Sequence, residues 1–333
     1  MLRPTKAILD TFRGRRVVIA GDLVADQFLE GTISRVSREA PVFIMRHDST
    51  ETRPGGAANA AANVASLGGV PMVVGLTGAD AAGDMLRNAL AERGVGLDSV
   101  LQVEGAQTTT KVRVLAGQQY AARQQVIRID YEAEVPNADE VERLLIDQLN
   151  EAAQTADAIV VSDYGYGAVS PALFEAAKRI ARERNIPLVA DSRFRLEGFA
   201  GASTATPNQD EVEQILGPGF TDADCERLRE RLGLEALLVT RGNKGMLLVE
   251  NGKAPLSIDA VGPTATVDVT GAGDTVIAAY AVGLASGLSY ADAASIANHA
   301  GGVVVMKRGT ATATADELLA FAREAADAAN QAL

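Results

Sequence analysis

Ala158-Ile159-Val160-Val161-Ser162-Asp163 is an unbroken apolar run that closes on a carboxylate. A strand with one wet face would alternate apolar and polar residues. A continuous run fits a strand covered on both faces, as in a parallel sheet between layers of helix. Working outward, a helical stretch over Pro171 to Glu183 follows, and then a second strand, Pro187-Leu188-Val189-Ala190-Asp191. Upstream, Arg16-Val17-Val18-Ile19-Ala20 ends in Gly21-Asp22, and Ala57 to Leu67 reads as an Ala-rich helix stopped by Gly68-Gly69. Pro71-Met72-Val73-Val74-Gly75 leads into a helix around Asp84 to Arg93. Downstream, Ala236 to Thr240 and Gly245 to Val249 read as strands, and three helices close the chain. Strands alternating with helices imply an α/β fold with a mostly parallel sheet and helices on both faces. Ligands in such sheets sit beyond the carboxyl ends of the strands. Asp22, Asp26, Asp163 and Asp191 all lie just after strand ends, so they are expected on one rim.

Phe28 to His47 and Thr108 to Asp130 interrupt the alternation. Period-two runs such as Thr110-Lys111-Val112-Arg113-Val114 and Gln125-Val126-Ile127-Arg128-Ile129-Asp130 suggest antiparallel strands with one wet face. A small sheet inserted into the α/β body would be a lid, a dimer surface or both, and two plain surface hairpins would look the same.

Composition bounds the function. The 333 residues can hold a substantial core, and 43 acidic against 31 basic residues give a net charge of −12. That balance argues against nucleic-acid binding, while leaving room for locally placed cations that hold small anions. A single cysteine, Cys225, excludes an internal disulfide and fits a reducing, cytoplasmic setting. The start lacks an apolar leader, and no apolar run reaches the ~18 residues of a membrane span. His47 and His299 are the only histidines, too few for a His-rich metal site.

The chemistry concentrates near the C-terminal end. Asp268-Val269-Thr270-Gly271-Ala272-Gly273-Asp274-Thr275 opens the apolar helical run Val276 to Val282. Glycines around an alanine let the backbone approach a ligand, and successive N–H groups at a helix N-terminus attract an anion. A carboxylate in that place suits a base that takes a proton from a hydroxyl while the amides hold a transferring phosphoryl group. A Gly-rich loop whose aspartate merely caps the helix would carry the same residues. There is no Walker A sequence, since Gly252-Lys253 is followed by Ala254, and no Gly-x-Gly-x-x-Gly follows a strand.

Gly55-Gly56-Ala57-Ala58-Asn59, Thr206-Pro207-Asn208-Gln209-Asp210-Glu211 and Asp268 to Asp274 together resemble the ribokinase-type (PfkB) sugar kinases, over about Arg16 to Ala315. Ser34-Arg35-Val36-Ser37-Arg38-Glu39-Ala40-Pro41-Val42, Arg53-Pro54-Gly55-Gly56 and Val267 to Ile277 look most like the D-glycero-D-manno-heptose 7-phosphate kinases, which make the 1,7-bisphosphate for lipopolysaccharide core heptose. The resemblance implies a ribokinase-like fold in a single kinase domain over 1–333, with lid segments at about 28–47 and 108–130. It assigns Asp274 as the base and the amides of Gly271, Ala272 and Gly273 to the phosphoryl group. Asp22, Asp26, Gly55, Gly56 and Asn59 would hold sugar hydroxyls. Asn208 and Glu211 match an N-x-x-E motif that organises Mg2+ through water, although Asn208 could also simply cap the helix after Pro207. Thr240, Gly242 and Gly245 would lie near the phosphates of ATP, and Asn298 beside the adenine. Asp268 and Thr270 match positions for a monovalent cation such as K+, joined by carbonyls near Val304, Lys307 and Gly309.

Bifunctional relatives add a nucleotidyltransferase domain with an H-x-G-H motif, and the two separated histidines point to a stand-alone kinase. A homodimer through the lid strands is expected, because an exposed sheet edge seeks a partner. An acceptor that already carries a phosphate needs cations. Arg113, Arg128 and Arg193 are the candidates, with Lys111 close by and Asp163 on the same rim. The heptose kinases carry a lysine in each of the segments matching Asp163-Tyr164-Gly165-Tyr166-Gly167 and Asp191-Ser192-Arg193, where this chain has Tyr166 and Arg193. That departure leaves open a kinase of another sugar or sugar phosphate. A catalytically silent sugar-binding member or a nucleoside kinase fits the residues less well.

Overall fold

The computed structural model of the protein describes residues 2–118, 123–132, 135–262 and 266–331. Part of the expected second lid segment, 119–122, lies outside the described residues.

The chain opens with a short helix, α1 (Lys6–Asp10), and the first strand, β1 (Arg16–Gly21). Two long strands follow, β2 (Leu23–Val36) and β3 (Phe43–Gly56), then α2 (Ala57–Ser66), β4 (Val70–Gly78), α3 (Ala81–Ala91) and β5 (Val100–Val103). β6 (Thr110–Gly117) and β7 (Gln124–Tyr131) precede α4 (Ala138–Ala152), β8 (Ala158–Asp163), α5 (Pro171–Arg184), β9 (Leu188–Ser192) and β10 (Thr204–Ala205). The rest comprises α6 (Gln209–Leu216), α7 (Asp222–Arg231), β11 (Ala236–Thr240), β12 (Met246–Glu250), β13 (Leu256–Ile258), α8 (Ala272–Ala285), α9 (Tyr290–Val304) and α10 (Ala315–Gln331).

Nine strands form the main sheet in the order β13-β12-β11-β10-β9-β8-β1-β4-β5. Pairing is parallel from β5 to β11 and antiparallel only at the β11–β12 and β12–β13 edge. The unbroken apolar runs divide by period two between two cores. Val17 and Ile19 of β1 and Ala158 and Val160 of β8 pack against α2, α8 and α9 on one face. Val18, Ala20, Ile159 and Val161 pack against α4, α5 and α7 on the other. Each helix presents one apolar stripe to its core: Val141, Leu145 and Leu149 of α4, spaced by four, are all buried. α8 differs, being buried almost all round from Asp274 to Ala285, because it lies between the sheet, α2 and α9.

The second sheet has four strands in the order β3-β2-β6-β7. It corrects two expectations. The central β2–β6 pair is parallel, with only β2–β3 and β6–β7 antiparallel, because β6 returns to β2 across the whole β4–α3–β5 unit. Its polar face is also not simply the wet one. Asp26 pairs with Lys111 and Arg113 with Arg128, and these side chains turn toward a cavity above the main sheet. On the opposite face of β7, Ile127, Ile129 and Tyr131 are exposed. β2 and β3 also run further into the body than the expected segment, reaching Leu23 and Gly56 beside β1 and α2.

Candidate active site

α8 begins at the rim where β1, β8 and β9 end. Gly271 caps it in the left-handed region (φ +76°), and a Cβ there would lie 2.6 Å from the side-chain nitrogen of Asn59. The Ala272 N–H donates to Val269 C=O at 3.2 Å, and the Thr275 N–H to Gly271 C=O at 3.1 Å. The N–H groups of Gly271 and Gly273 find no backbone acceptor among the described residues. They remain available to an anion at the positive end of the helix dipole. Of the three expected amides, Ala272's is thus already spent in the turn.

Asp274 lies one residue beyond and is 5% exposed. Its two oxygens are separately held: Tyr164 Oη donates to Oδ1 at 2.5 Å and Asn59 Nδ2 to Oδ2 at 2.9 Å. Burial pushes the carboxyl up to about 6, against the lowering effect of those two bonds. Such a group is ionised at neutral pH yet basic enough to accept a proton.

Two cavities flank this helix start. One, of about 170 Å³, is lined by Asp274, Gly271 and Thr270 from the body and by Asp26, Gly56, Lys111, Arg113 and Arg128 from the small sheet. Arg193 and Tyr164 complete its wall. Asp26 pairs with Arg113, and Arg113 and Arg53 both lie over the Phe28 ring, 5.5 and 5.0 Å from its centroid. Burial raises the Asp26 carboxyl despite Arg113 and Lys111. Burial also lowers the Lys111 ammonium, whose Nζ sits 5.8 and 5.3 Å from the ring centroids of Tyr164 and Tyr166. Arg128 is tied to Asp130 at 2.9 Å, while Arg193 makes no ion pair among the described residues and lies over Phe194.

The other cavity, of about 340 Å³, is lined by Ala272 and Gly273 and by Thr240, Gly242, Gly245 and Asn298. Thr240, Gly242, Gly245 and Asn298 therefore share one space, bordered by the far side of the anion loop, whereas Asn208, also expected beside the nucleotide, does not line it. Gly242 and Gly245 both have positive φ, and a Cβ on Gly245 would strike the Ile258 carbonyl at 2.0 Å. Asn298 Nδ2 donates to Asp259 C=O at 2.7 Å.

Two assigned carboxylates are placed differently from the expectation. Asp22 does not line the acceptor cavity: its oxygens accept from the backbone N–H groups of Tyr164 (2.7 Å), Tyr166 (3.1 Å) and Ala168 (2.9 Å). Asp163 is likewise consumed by Ser192 Oγ (2.6 Å), the Arg195 guanidinium and the Gly165 N–H. Both organise loops rather than face a ligand. Glu211 and Asn208 form a reciprocal capping box, with Glu211 N–H to Asn208 Oδ1 at 2.9 Å and Asn208 N–H to Glu211 Oε2 at 2.8 Å. Asp268 accepts from the N–H groups of Thr270 and Gly309, both at 2.9 Å. Burial opposes its ionisation, and those bonds outweigh burial and lower its pKa. This pins the start of the anion loop to the segment after α9. Gly55 stands against the Asp26 carboxylate, which a Cβ would approach to 2.7 Å.

Tyr164 and Lys111 were not singled out from sequence as partners of the base. The Asp-Tyr-Gly-Tyr-Gly segment directly after a buried strand was the available signal for the tyrosine.

The pfkB family carbohydrate kinase model matches residues 23–317. The chain belongs to the pfkB family of carbohydrate kinases. It is 45% identical over 321 residues to the Bifunctional protein HldE of Halorhodospira halophila, covering 93% of this chain and 64% of that protein. Against the Bifunctional protein HldE of Proteus mirabilis the identity is 38%, over 97% of this chain and 67% of the relative. The chain thus spans about two thirds of the length of these curated relatives. Its fold resembles that of Arabidopsis thaliana ribokinase complexed with ribose and ATP (TM-score 0.70, 22% identity, 93% and 99% of the two chains). It also resembles Escherichia coli phosphofructokinase-2 in complex with potassium (TM-score 0.73, 19% identity, 94% and 99%). At those identities the likeness carries the pfkB fold alone. Among the described residues, no helix is long and apolar enough to cross a membrane, and no group of His, Cys, Asp and Glu is arranged to hold a metal ion.

Proposed function

We propose that this pfkB carbohydrate kinase transfers the γ-phosphoryl group of ATP to O1 of D-glycero-D-manno-heptose 7-phosphate, with Asp274 as the base. The observation that carries the reading is the position of the Gly271–Asp274 turn between two cavities, one rich in cations and one lined by the glycines and Asn298. The acceptor hydroxyl gives its proton to Asp274 and its oxygen forms a bond to the γ-phosphorus. The bond from that phosphorus to the β,γ-bridging oxygen breaks, and ADP leaves with the electron pair. Charge spread over the equatorial oxygens is met by the amides of Gly271 and Gly273.

The heptose assignment is supported by the resemblance of the Ser34–Val42, Arg53–Gly56 and Val267–Ile277 segments and by the similarity to proteins named HldE. A phosphate already on the acceptor suits Lys111, Arg113, Arg128 and Arg193 around a small cavity. Lys111 offers the point charge that Tyr166 lacks, and it comes from β6 rather than from the loop after β8.

Mg2+ would supply charge neutralisation at the phosphates. Glu211 and Asn208 fit it only through water, since each is bonded to the other. Asp191, raised by burial and then by the Glu211 charge, lies on the same rim. A monovalent cation beside Asp268 and Thr270 belongs to the same proposal.

ATP consumption against a sugar panel tests this reading. Turnover with heptose 7-phosphate and not with the free heptose, ribose, fructose or fructose 6-phosphate is expected. Preference for another member of the panel would support the second reading, a pfkB kinase whose Tyr166 and Arg193 mark a changed acceptor site.

A further inference from the structure

Tyr164 reaches the base from the loop between β8 and α5, and the buried Asp22 carboxylate, whose hydrogen-bond donors among the described residues are three N–H groups of that loop, helps to hold it. Asp22 Oδ2 accepts the N–H groups of Tyr164 and Tyr166, and Oδ1 that of Ala168. Asp22 sits at the junction of β1 and β2, and its own N–H donates to Ser162 C=O at 3.1 Å, so the carboxylate is fixed to the central strands. From there the chain of contacts runs through the Tyr164 backbone to its hydroxyl and on to Asp274 Oδ1 at 2.5 Å. Asn59, from α2, holds the other oxygen. The carboxylate therefore cannot rotate without losing a bond on each side. One lone pair on each oxygen is left to face the acceptor cavity.

We propose that Tyr164 is a positioning residue for phosphoryl transfer: its hydroxyl, placed by Asp22, orients the Asp274 carboxylate toward the acceptor and keeps it ionised. The proposal rests on the reading of Asp274 as the base and adds the means by which the base is held. A carboxylate this deeply buried would otherwise hold its proton. The groups that face Asp274 are Tyr164 from the β8–α5 loop, Asn59 from α2, Asp26 from β2, Lys111 from β6 and Asp191 from β9, whose carboxyl is itself raised by burial and by the charges of Glu211 and Asp274, with Arg113 and Arg193 further along the same cavity wall. Asp26 and Lys111 act in opposite senses, the first raising and the second lowering the proton affinity of Asp274. The hydrogen bonds of Tyr164 and Asn59 both favour the charged form. Tyr164 itself stays protonated, because burial and then the Asp274 charge push its phenol well above the usual range. It can donate throughout the working pH range without becoming a competing base.

The test is the Tyr164→Phe protein, read in two ways. In carboxyl-13C aspartate spectra, with Asp274→Asn used for assignment, the Asp274 resonance should titrate about one unit higher than in the unsubstituted protein, the size of one charge-assisted bond. The acid limb of kcat/KM should move up by the same amount, so that roughly tenfold of the activity lost near pH 5 returns by pH 8. A tyrosine that only fills space would lower turnover evenly across the pH range. An Asp274 titration that stays in place overturns the proposal. So does a carboxyl that moves while the acid limb does not. The titration needs only folded protein, so it holds even if the variant is inactive. Whether Asp274 is the base at all is judged separately, by the activity of Asp274→Asn.

Discussion

The side-chain amide of Asn59, in the first turn of α2, lies 2.9 Å from Oδ2 of Asp274 in the first turn of α8. Two helices on the same face of the sheet thus meet through a neutral donor and a buried charge. The contact also explains the left-handed glycine at 271, since a side chain there would occupy the place of the Asn59 nitrogen.

Keeping a charge in that place costs stability. Asp274 is raised from the usual carboxylate range to about 6, so the folded protein binds its proton more tightly than the unfolded chain does. The stability contributed by this group is present at low pH and is lost as pH rises from about 4 through about 6. Replacing it by Asn should remove that pH-dependent component, making the variant more favourable relative to the unsubstituted protein by on the order of 2–3 kcal/mol between pH 4 and pH 7. Urea denaturation across that range measures it, and a difference that does not vary with pH counts against a raised Asp274.

Gly271 and Gly273 should separate fold from function. Gly271→Ala places a Cβ against Asn59 at positive φ, and a loss of roughly 1–3 kcal/mol is expected together with loss of turnover. A Cβ on Gly273 meets nothing within 4 Å and sits in the first turn of α8. Gly273→Ala should therefore keep or slightly raise the melting temperature while weakening ATP turnover, because the open space is where the phosphates would lie. Melting curves and ATP kinetics on the two proteins distinguish the cases.

Lys111 and Arg193 both line the acceptor cavity, one from the small sheet and one from the segment after β9. Lys111→Met and Arg193→Ala should each raise KM for the phosphorylated acceptor about tenfold or more, with KM for ATP within about twofold. Equal effects on both substrates would remove the phosphate role from these side chains.

The fold was largely legible because its signals are local. Ala158–Asp163 and Ala236–Thr240 form strands over those same residues, since an unbroken apolar run has few other places to go. The small sheet was harder. Its period-two pattern was visible, but β2 and β6 are parallel neighbours only because the chain returns across an intervening unit, and no local residue records that. Within the site, Thr240, Gly242, Gly245 and Asn298, assigned through the resemblance to the sugar kinases, line one cavity. Asp22 and Asp163 were misplaced for a physical reason. A carboxylate after a strand end reads the same whether it will accept from a ligand hydroxyl or from backbone amides, and here both accept from the loops beside them. Tyr164 was missed because a tyrosine carries no formal charge, and its role depends on where Asp22 holds its backbone.

Ile127, Ile129 and Tyr131 stand exposed on one face of β7, the outer strand of the small sheet. We propose that this sheet pairs with its copy in a homodimer, which would cover that face and the open strand edge. Light scattering should give about twice the 34.7 kDa chain mass, and Ile129→Asp should shift it toward the monomer. A monomer at micromolar concentration in the unsubstituted protein would remove the dimer from the account.

The division of labour at the start of α8 is tested most directly by the kinetics of Asp274→Asn at saturating ATP and acceptor. Nucleotide binding should persist within about threefold, because the cavity holding Thr240, Gly242, Gly245 and Asn298 is separate from the carboxylate, while kcat falls by roughly 10²–10⁴. Turnover within about tenfold of the unsubstituted enzyme would contradict the assignment of Asp274 as the base.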